Sequence, residues 1–217
     1  MTDVYIVQKL ENNKDIIVNV PGSKSITNRA LMLAALSDGE CNLDGVLFSD
    51  DSRAFLDCLE KLGFQLFIDE NEKRVKVVGT SGEIPNRKAT IDVRSAGTAA
   101  RFLTVMLAVT GGEYTLNSSE QMKKRPMGEI IDLIRSAGVK ISCLEEEGHF
   151  PFIISSNGLD KKEVSINTDT SSQYASALLM AAVMTGLKIK LTGKRVNGAY
   201  IKITLNMLKQ FGIKYVQ

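Results

Sequence analysis

The chain has 217 residues, of which 44% are hydrophobic, enough apolar content for one large domain or two small ones around a packed core. Its 27 basic and 25 acidic side chains leave a net charge of +2, which excludes a global field favouring nucleic acid or an anionic membrane, so any anion site must be local. The three cysteines form no C-x-x-C pair and suit free thiols in a reducing compartment. The longest apolar run, around Tyr174 to Leu187, is too short and interrupted for a membrane span of ~20 residues. A cytoplasmic protein that engages neither nucleic acid nor membrane is expected.

In chain order, Val4–Val7 and Ile16–Val20 read as two strands outside the pattern that follows. An apolar helix then opens at Gly22-Ser23-Lys24-Ser25 and runs to Leu36. Asp50-Asp51-Ser52 reads as the N-cap of an amphipathic helix over Ser52–Leu62, closed by Gly63. Phe64–Ile68 and Val75–Val78 follow as a hairpin around a polar turn, and Gly79–Arg87 is a loop.

The same order then returns. An apolar helix opens at Ser95-Ala96-Gly97-Thr98 and runs to Val109, and an amphipathic helix covers Met127–Ala137 before Gly138. Val139–Cys143 and Phe150–Ile154 form the second hairpin, and Ser155–Lys162 the next loop. A third apolar helix opens at Thr170-Ser171-Ser172-Gln173 and runs to Met184, with an amphipathic helix over Ala199–Phe211 and Gly212 after it. The helix-closing glycines at 63, 138 and 212 stand about 75 residues apart, a period that marks internal repeats.

Only Ile213–Gln217 follows the last glycine, so the third hairpin wants a second strand of about ten more residues, and the chain is expected to be a fragment. Helices that are apolar nearly all round belong inside, with sheets and amphipathic helices around them. The expected fold is therefore α/β with pseudo-threefold symmetry.

Function follows from what stands at the three apolar helix starts. Helix N-termini offer free N–H groups and the positive end of the macrodipole to anions. Lys24 and Arg29 add two cations at the first start, with Ser25 between them, and Arg101 follows Gly97 by about one turn at the second. Met122-Lys123-Lys124-Arg125 precedes a helix beginning near Pro126. Ser171, Ser172 and Gln173 supply hydroxyls and an amide suited to a phosphorylated polyol. Each stretch has a plainer reading as a cap or a solvated charge run, and their recurrence in one repeated frame is what favours a phosphate site. The single histidine, His149, lies in a hairpin turn without Cys or His at ligand spacing, so no metal and no cofactor is expected.

These stretches together resemble the N-terminal half of the 5-enolpyruvylshikimate-3-phosphate synthase family (3-phosphoshikimate 1-carboxyvinyltransferases). Pro21–Leu36, Leu47–Arg53, Ala96–Leu103, Met122–Pro126, Ser171–Leu179 and Tyr200–Gly212 carry the likeness. The resemblance implies three βαβαββ repeats, at about 21–80, 88–156 and 162–217, in an N-terminal domain over 21–217. Residues 1–20 would belong with a C-terminal domain not in this chain, which would be its partner.

The resemblance also implies that Lys24 contacts both shikimate 3-phosphate and phosphoenolpyruvate, with Ser25 and Arg29 on the former. Gly97 and Arg125 would face phosphoenolpyruvate, supported by Arg101. Ser171 and Ser172 would bind the 3-phosphate, Gln173 would reach both ligands, Tyr200 would line the shikimate side, and Asn197 would be a further substrate-binding residue. The acid/base residues would lie in the other half, leaving no catalytic residue here. The chain departs from common versions at Ser95, Asn197 and Phe102, where relatives often have Asn, Ser and Pro. UDP-N-acetylglucosamine enolpyruvyl transferases share the architecture but usually carry Lys-Asn in place of Lys24-Ser25. RNA 3′-phosphate cyclases have a catalytic histidine without a counterpart here. A non-catalytic phosphate-binding module is the remaining alternative.

Overall fold

Every run read as helical forms a helix. The computed structural model describes residues 20–194, 196 and 198–216. The elements begin with α1 (Lys24–Leu36), β1 (Asp38–Asp44), α2 (Asp50–Lys61), β2 (Gln65–Asp69) and β3 (Arg74–Thr80). They continue with β4 (Lys88–Asp92), α3 (Gly97–Thr110), β5 (Gly112–Asn117), a short α4 (Glu120–Lys123), α5 (Gly128–Ser136), β6 (Lys140–Cys143) and β7 (Phe152–Ser156). Last come β8 (Glu163–Asn167), α6 (Ser172–Ala181) with a 3-10 turn over Ala182–Met184, β9 (Lys188–Thr192) and α7 (Ala199–Gln210).

The division between inner and outer helices follows from their side chains. In α3 the run Phe102–Val109 is buried throughout, as is Leu31–Leu36 in α1, and α1, α3 and α6 touch one another at the centre. The outer helices each bury a single stripe: Ala54, Phe55 and Leu59 on α2, and Ile130, Ile131 and Ile134 on α5. On α7 the stripe is Ile201, Thr204 and Leu208, with a polar residue in the middle position.

Among the described residues three sheets surround this centre. β1, β3 and β2 are antiparallel, while β4 and β5 run parallel on either side of α3, as a crossover through a helix requires. β5, β7 and β6 continue antiparallel, and β8 and β9 form a second parallel pair across α6. Both expected hairpins form, with Leu66 opposite Val77 and Ile141 opposite Ile154. The second strand of the later hairpin starts at Phe152 rather than Phe150, since Pro151 has no N–H to give to a ladder.

Two local expectations need correction. The cap of α2 is Ser49, whose hydroxyl accepts from the Ser52 N–H at 3.3 Å, so Asp50 and Asp51 sit in the first turn instead. The basic run before α5 is partly helical: Lys123 ends α4, and its ammonium lies 2.9 Å from both Glu120 and Glu145. The strands expected at Val4–Val7 and at Ile16–Val20, apart from Val20, lie outside the described residues, as does Asn197. Among the described residues no helix is long and apolar enough to cross a membrane.

One close backbone approach fixes where α1 begins. A Cβ on Gly22 would run into the Gly45 carbonyl oxygen, so only glycine lets the chain pass β1 this closely on its way to Lys24.

Candidate functional site

The N-termini of α1, α3 and α6 meet at one cleft of about 400 Å³. Lys24, Ser25, Arg29, Thr98, Thr170, Ser171, Ser172, Gln173 and Tyr200 line it, and none of them is acidic. Neither α1 nor α3 has a side-chain hydrogen bond at its N-cap, whereas Ser171 caps α6 by accepting from the Gln173 N–H at 3.2 Å. First-turn N–H groups of α1 and α3 thus face the cleft region without a side-chain cap, the arrangement that draws anions. Gln173 Nε2 donates to Thr98 Oγ1 at 3.3 Å and ties the starts of α6 and α3 together.

Lys24 is held loosely. Its ammonium lies 3.3 Å from the Asp51 carboxylate on α2, with 46% of its side chain exposed. Such an ion pair in water is worth about 0–1 kcal/mol, so a doubly charged phosphate can compete for the lysine.

Arg29 is the opposite case, with only 1% of its surface exposed. Its Nε donates to Thr204 Oγ1 at 2.8 Å, Nη1 to the Ser25 carbonyl oxygen at 2.8 Å, and Nη2 to Ser176 Oγ at 2.9 Å. The guanidinium carbon lies 5.3 Å from the Phe102 ring centroid and 5.7 Å from that of Tyr200, within cation–π range. Burial pushes its pKa down from 12.5 to about 10, partly opposed by Tyr200. Every hydrogen-bond acceptor recorded for this guanidinium is neutral, and among the described residues it forms no ion pair with a carboxylate.

Gly97, Arg101 and Arg125 form a second cluster, adjoining the cleft through Thr98. Arg101 Nη1 donates to the Gly97 carbonyl oxygen at 2.8 Å, and its guanidinium lies 5.5 Å from the Tyr174 ring centroid. Tyr174 in turn donates its hydroxyl to the Pro126 carbonyl at 2.9 Å, beside Arg125. A Cβ on Gly97 would stand 2.8 Å from Arg125 Nη1 and 2.9 Å from Arg101 Nη1. The bare glycine therefore makes room for two guanidiniums, neither of which has an ion-pair partner among the described residues. Like charges held this close favour an anion between them.

Seven of the expected residues therefore meet in one cleft, three meet beside it, and Asn197 lies outside the described residues. A larger apolar groove of about 750 Å³ lies at the other end of α1, along Leu33, Leu36, Cys41 and Leu43. No cation lines it, so it is no rival for phosphate.

The expected set lacked Thr98, Thr170 and Asp51, and also Ser176 and Thr204, which hold Arg29. The last two left a readable trace, being small polar residues at 0% exposure on otherwise apolar helix faces. A buried hydroxyl needs a partner.

The chain as a whole is similar to known proteins in sequence and in fold. The family model for EPSP synthase (3-phosphoshikimate 1-carboxyvinyltransferase) matches residues 9–216. A 3-phosphoshikimate 1-carboxyvinyltransferase of Neisseria meningitidis serogroup B is 42% identical over 208 residues, covering 94% of this chain and 47% of the relative. One from Trichormus variabilis is 36% identical over 217 residues, covering 99% and 51%. The chain spans about half the length of these relatives. Among solved structures, EPSP synthase from Acinetobacter baumannii superposes with a TM-score of 0.78 at 23% identity, over 92% of this chain and 44% of that one. The enolpyruvyl transferase NikO from Streptomyces tendae gives a TM-score of 0.56 at 14% identity, over 88% and 43%. At such identities these two superpositions speak for the enolpyruvyl transferase fold alone.

Proposed function

Because the chain belongs to the EPSP synthase (3-phosphoshikimate 1-carboxyvinyltransferase) family, we propose that it forms the shikimate 3-phosphate-binding half of an enzyme of aromatic amino-acid biosynthesis. That enzyme transfers the enolpyruvyl group of phosphoenolpyruvate to the 5-hydroxyl of shikimate 3-phosphate. The observation that carries this reading is the acid-free cleft in which Lys24, Ser25 and Arg29 face Ser171, Ser172 and Gln173. Cations on one wall and hydroxyls at a helix start on the other suit a phosphorylated, hydroxylated ring.

In the proposed reaction the 5-hydroxyl loses its proton and adds to the enol carbon while the methylene takes a proton. The tetrahedral intermediate then loses phosphate together with a proton from the new methyl, which restores the enol double bond. Charge on phosphate and carboxylate must be neutralised throughout, a task for fixed cations. Lys24, loosely paired with Asp51, is placed to move onto incoming phosphate. Arg101 and Arg125, close around Gly97, would take phosphoenolpyruvate. The proton-transferring groups are assigned to a C-terminal domain outside this chain, and the three free thiols fit a cytoplasmic setting.

Calorimetric titration tests the ligand. Shikimate 3-phosphate is expected to bind, and UDP-N-acetylglucosamine and RNA 3′ ends are not; the reverse order would assign the chain to another branch of the architecture. Lys24→Ala should weaken shikimate 3-phosphate by about 1.5–3 kcal/mol, the worth of a charge-assisted contact, while Lys140→Ala at the exposed first position of β6 should change little. Equal effects would count against the cleft.

Gly97→Ala separates the two clusters. Alanine suits a helix better than glycine by about 1 kcal/mol, and the atoms it meets are the ends of two flexible side chains. The fold should therefore keep its melting temperature while affinity for phosphoenolpyruvate falls about tenfold or more, as expected when charge-assisted contacts are displaced. An unchanged phosphoenolpyruvate affinity would remove Gly97 from the site.

A further inference from the structure

Arg29 is a buried cation held by neutral groups. Buried charges are normally paired, because desolvation of a lone charge is costly, yet the acceptors recorded for this guanidinium are two hydroxyls and a backbone carbonyl. The hydroxyls come from different helices, Ser176 from α6 and Thr204 from α7, and both are fully buried. They also lie 2.9 Å from each other, and Thr204 Oγ1 lies 2.9 Å from the Tyr200 carbonyl oxygen.

Proton inventory fixes the direction of this network. Arg29 Nε–H and Nη2–H can only donate, so both hydroxyls must accept from it. The single proton of Thr204 then goes to Ser176 Oγ or to the Tyr200 carbonyl, which orients that hydroxyl relative to the start of α7. Phe102, fully buried on α3, closes one face of the guanidinium.

We infer that Ser176 and Thr204 are positioning residues for Arg29, holding its guanidinium at the cleft in one orientation without neutralising it. A carboxylate in their place would satisfy the same N–H groups, but it would cancel the charge and repel an anionic ligand. Two hydroxyls supply the hydrogen bonds and leave the charge for the ligand. Three helices are coupled at this point: α1 carries the cation, and α6 and α7 carry its holders next to the cleft residues Ser172, Gln173 and Tyr200. The inference rests on the proposed function only in naming shikimate 3-phosphate as the anion.

The test uses the 217-residue chain with ¹⁵N-labelled arginine and two readouts. By NMR, the Arg29 Nε–H resonance should be protected from exchange in the native chain, and Thr204→Val should shift it and speed its exchange. Thr204→Ser should restore both. By calorimetry, Thr204→Val should weaken shikimate 3-phosphate about tenfold, the effect of losing one hydrogen bond to a charged group. The same change made on an Arg29→Lys background, which keeps a cation but has no Nε–H, should add little further loss, since the two residues act through one bond.

A full additional loss on that background, or an unmoved Nε–H resonance, would overturn the inference and leave Thr204 as a packing residue. If Thr204→Val does not fold, Ser176→Ala carries the same readouts at Nη2. If the native chain binds no shikimate 3-phosphate, the proposed function fails, while the NMR arm still decides whether these hydroxyls hold Arg29.

Discussion

Mixed with shikimate 3-phosphate and phosphoenolpyruvate, the chain alone is expected to release no phosphate above background. The residues lining the cleft are Lys, Arg, Ser, Thr, Gln and Tyr, and none is a carboxylate or imidazole able to exchange protons near neutral pH. Asp51, the carboxylate beside the cleft residue Lys24, is engaged with that lysine. Proton transfer by positioned groups is commonly worth about 10²–10⁴-fold in rate. The proposed reaction needs a proton removed from the 5-hydroxyl, one delivered to the methylene and one taken back from the methyl, and the described cleft residues offer no group for these transfers. On the proposed division of the site between two halves, the chain alone would also leave the ligands in water, where each ionic contact is weaker than in a closed site. Supplying the other half of the relatives' length as a separate polypeptide is expected to restore turnover. The measurement is phosphate release with the chain alone and with both halves. Substantial release by the chain alone would overturn the assignment of the acid and base to the other half.

The sequence made the three inner helices legible because burial on all sides leaves no polar face. Leu31–Leu36 and Phe102–Val109 are apolar or small throughout, and no surface helix tolerates that. The cleft was legible for the same reason. Reading the inner helices as equivalent puts their starts at one end, and Lys24 and Ser171 do share a cleft. Contacts that depend on tertiary geometry carried no such signal. Thr204 and Ser176 stand 175 and 147 residues from Arg29, and no local period connects residues so far apart. The cap of α2 was misread one residue late because Ser49, Asp50, Asp51 and Ser52 are all good cap residues, and only backbone geometry chooses among them. The pairing of Asp51 with Lys24 was hidden by that misreading, since a cap carboxylate would have been turned toward its own helix.

Arg29→Met should leave the ligand-free chain at least as stable and abolish its binding of shikimate 3-phosphate. Methionine matches the length and flexibility of the arginine stem and can lie against Phe102 as the guanidinium does. The hydroxyls left behind are not stranded, because Thr204 and Ser176 lie 2.9 Å apart and Thr204 also reaches the Tyr200 carbonyl. What is removed is a charge taken out of water without a carboxylate to offset it. The fall in its pKa from 12.5 to about 10 corresponds to about 3 kcal/mol against the charged form. Against this stand two cation–π contacts of about 0.5–2 kcal/mol each, part of which the methionine sulfur recovers through its own aromatic contacts. The three hydrogen bonds of the guanidinium also oppose the gain. Replacing buried charges by apolar side chains of similar volume is often neutral or stabilising, so the melting temperature is expected to hold or to rise by about 2–4 °C. Binding should go the other way. The cation that stability would discard is the one the ligand needs, the usual trade between stability and a strained site. A thermal melt and a titration of the same variant decide it. A melting temperature lowered by several degrees would mean that Arg29 serves the fold, and retained affinity would mean that it does not serve the ligand.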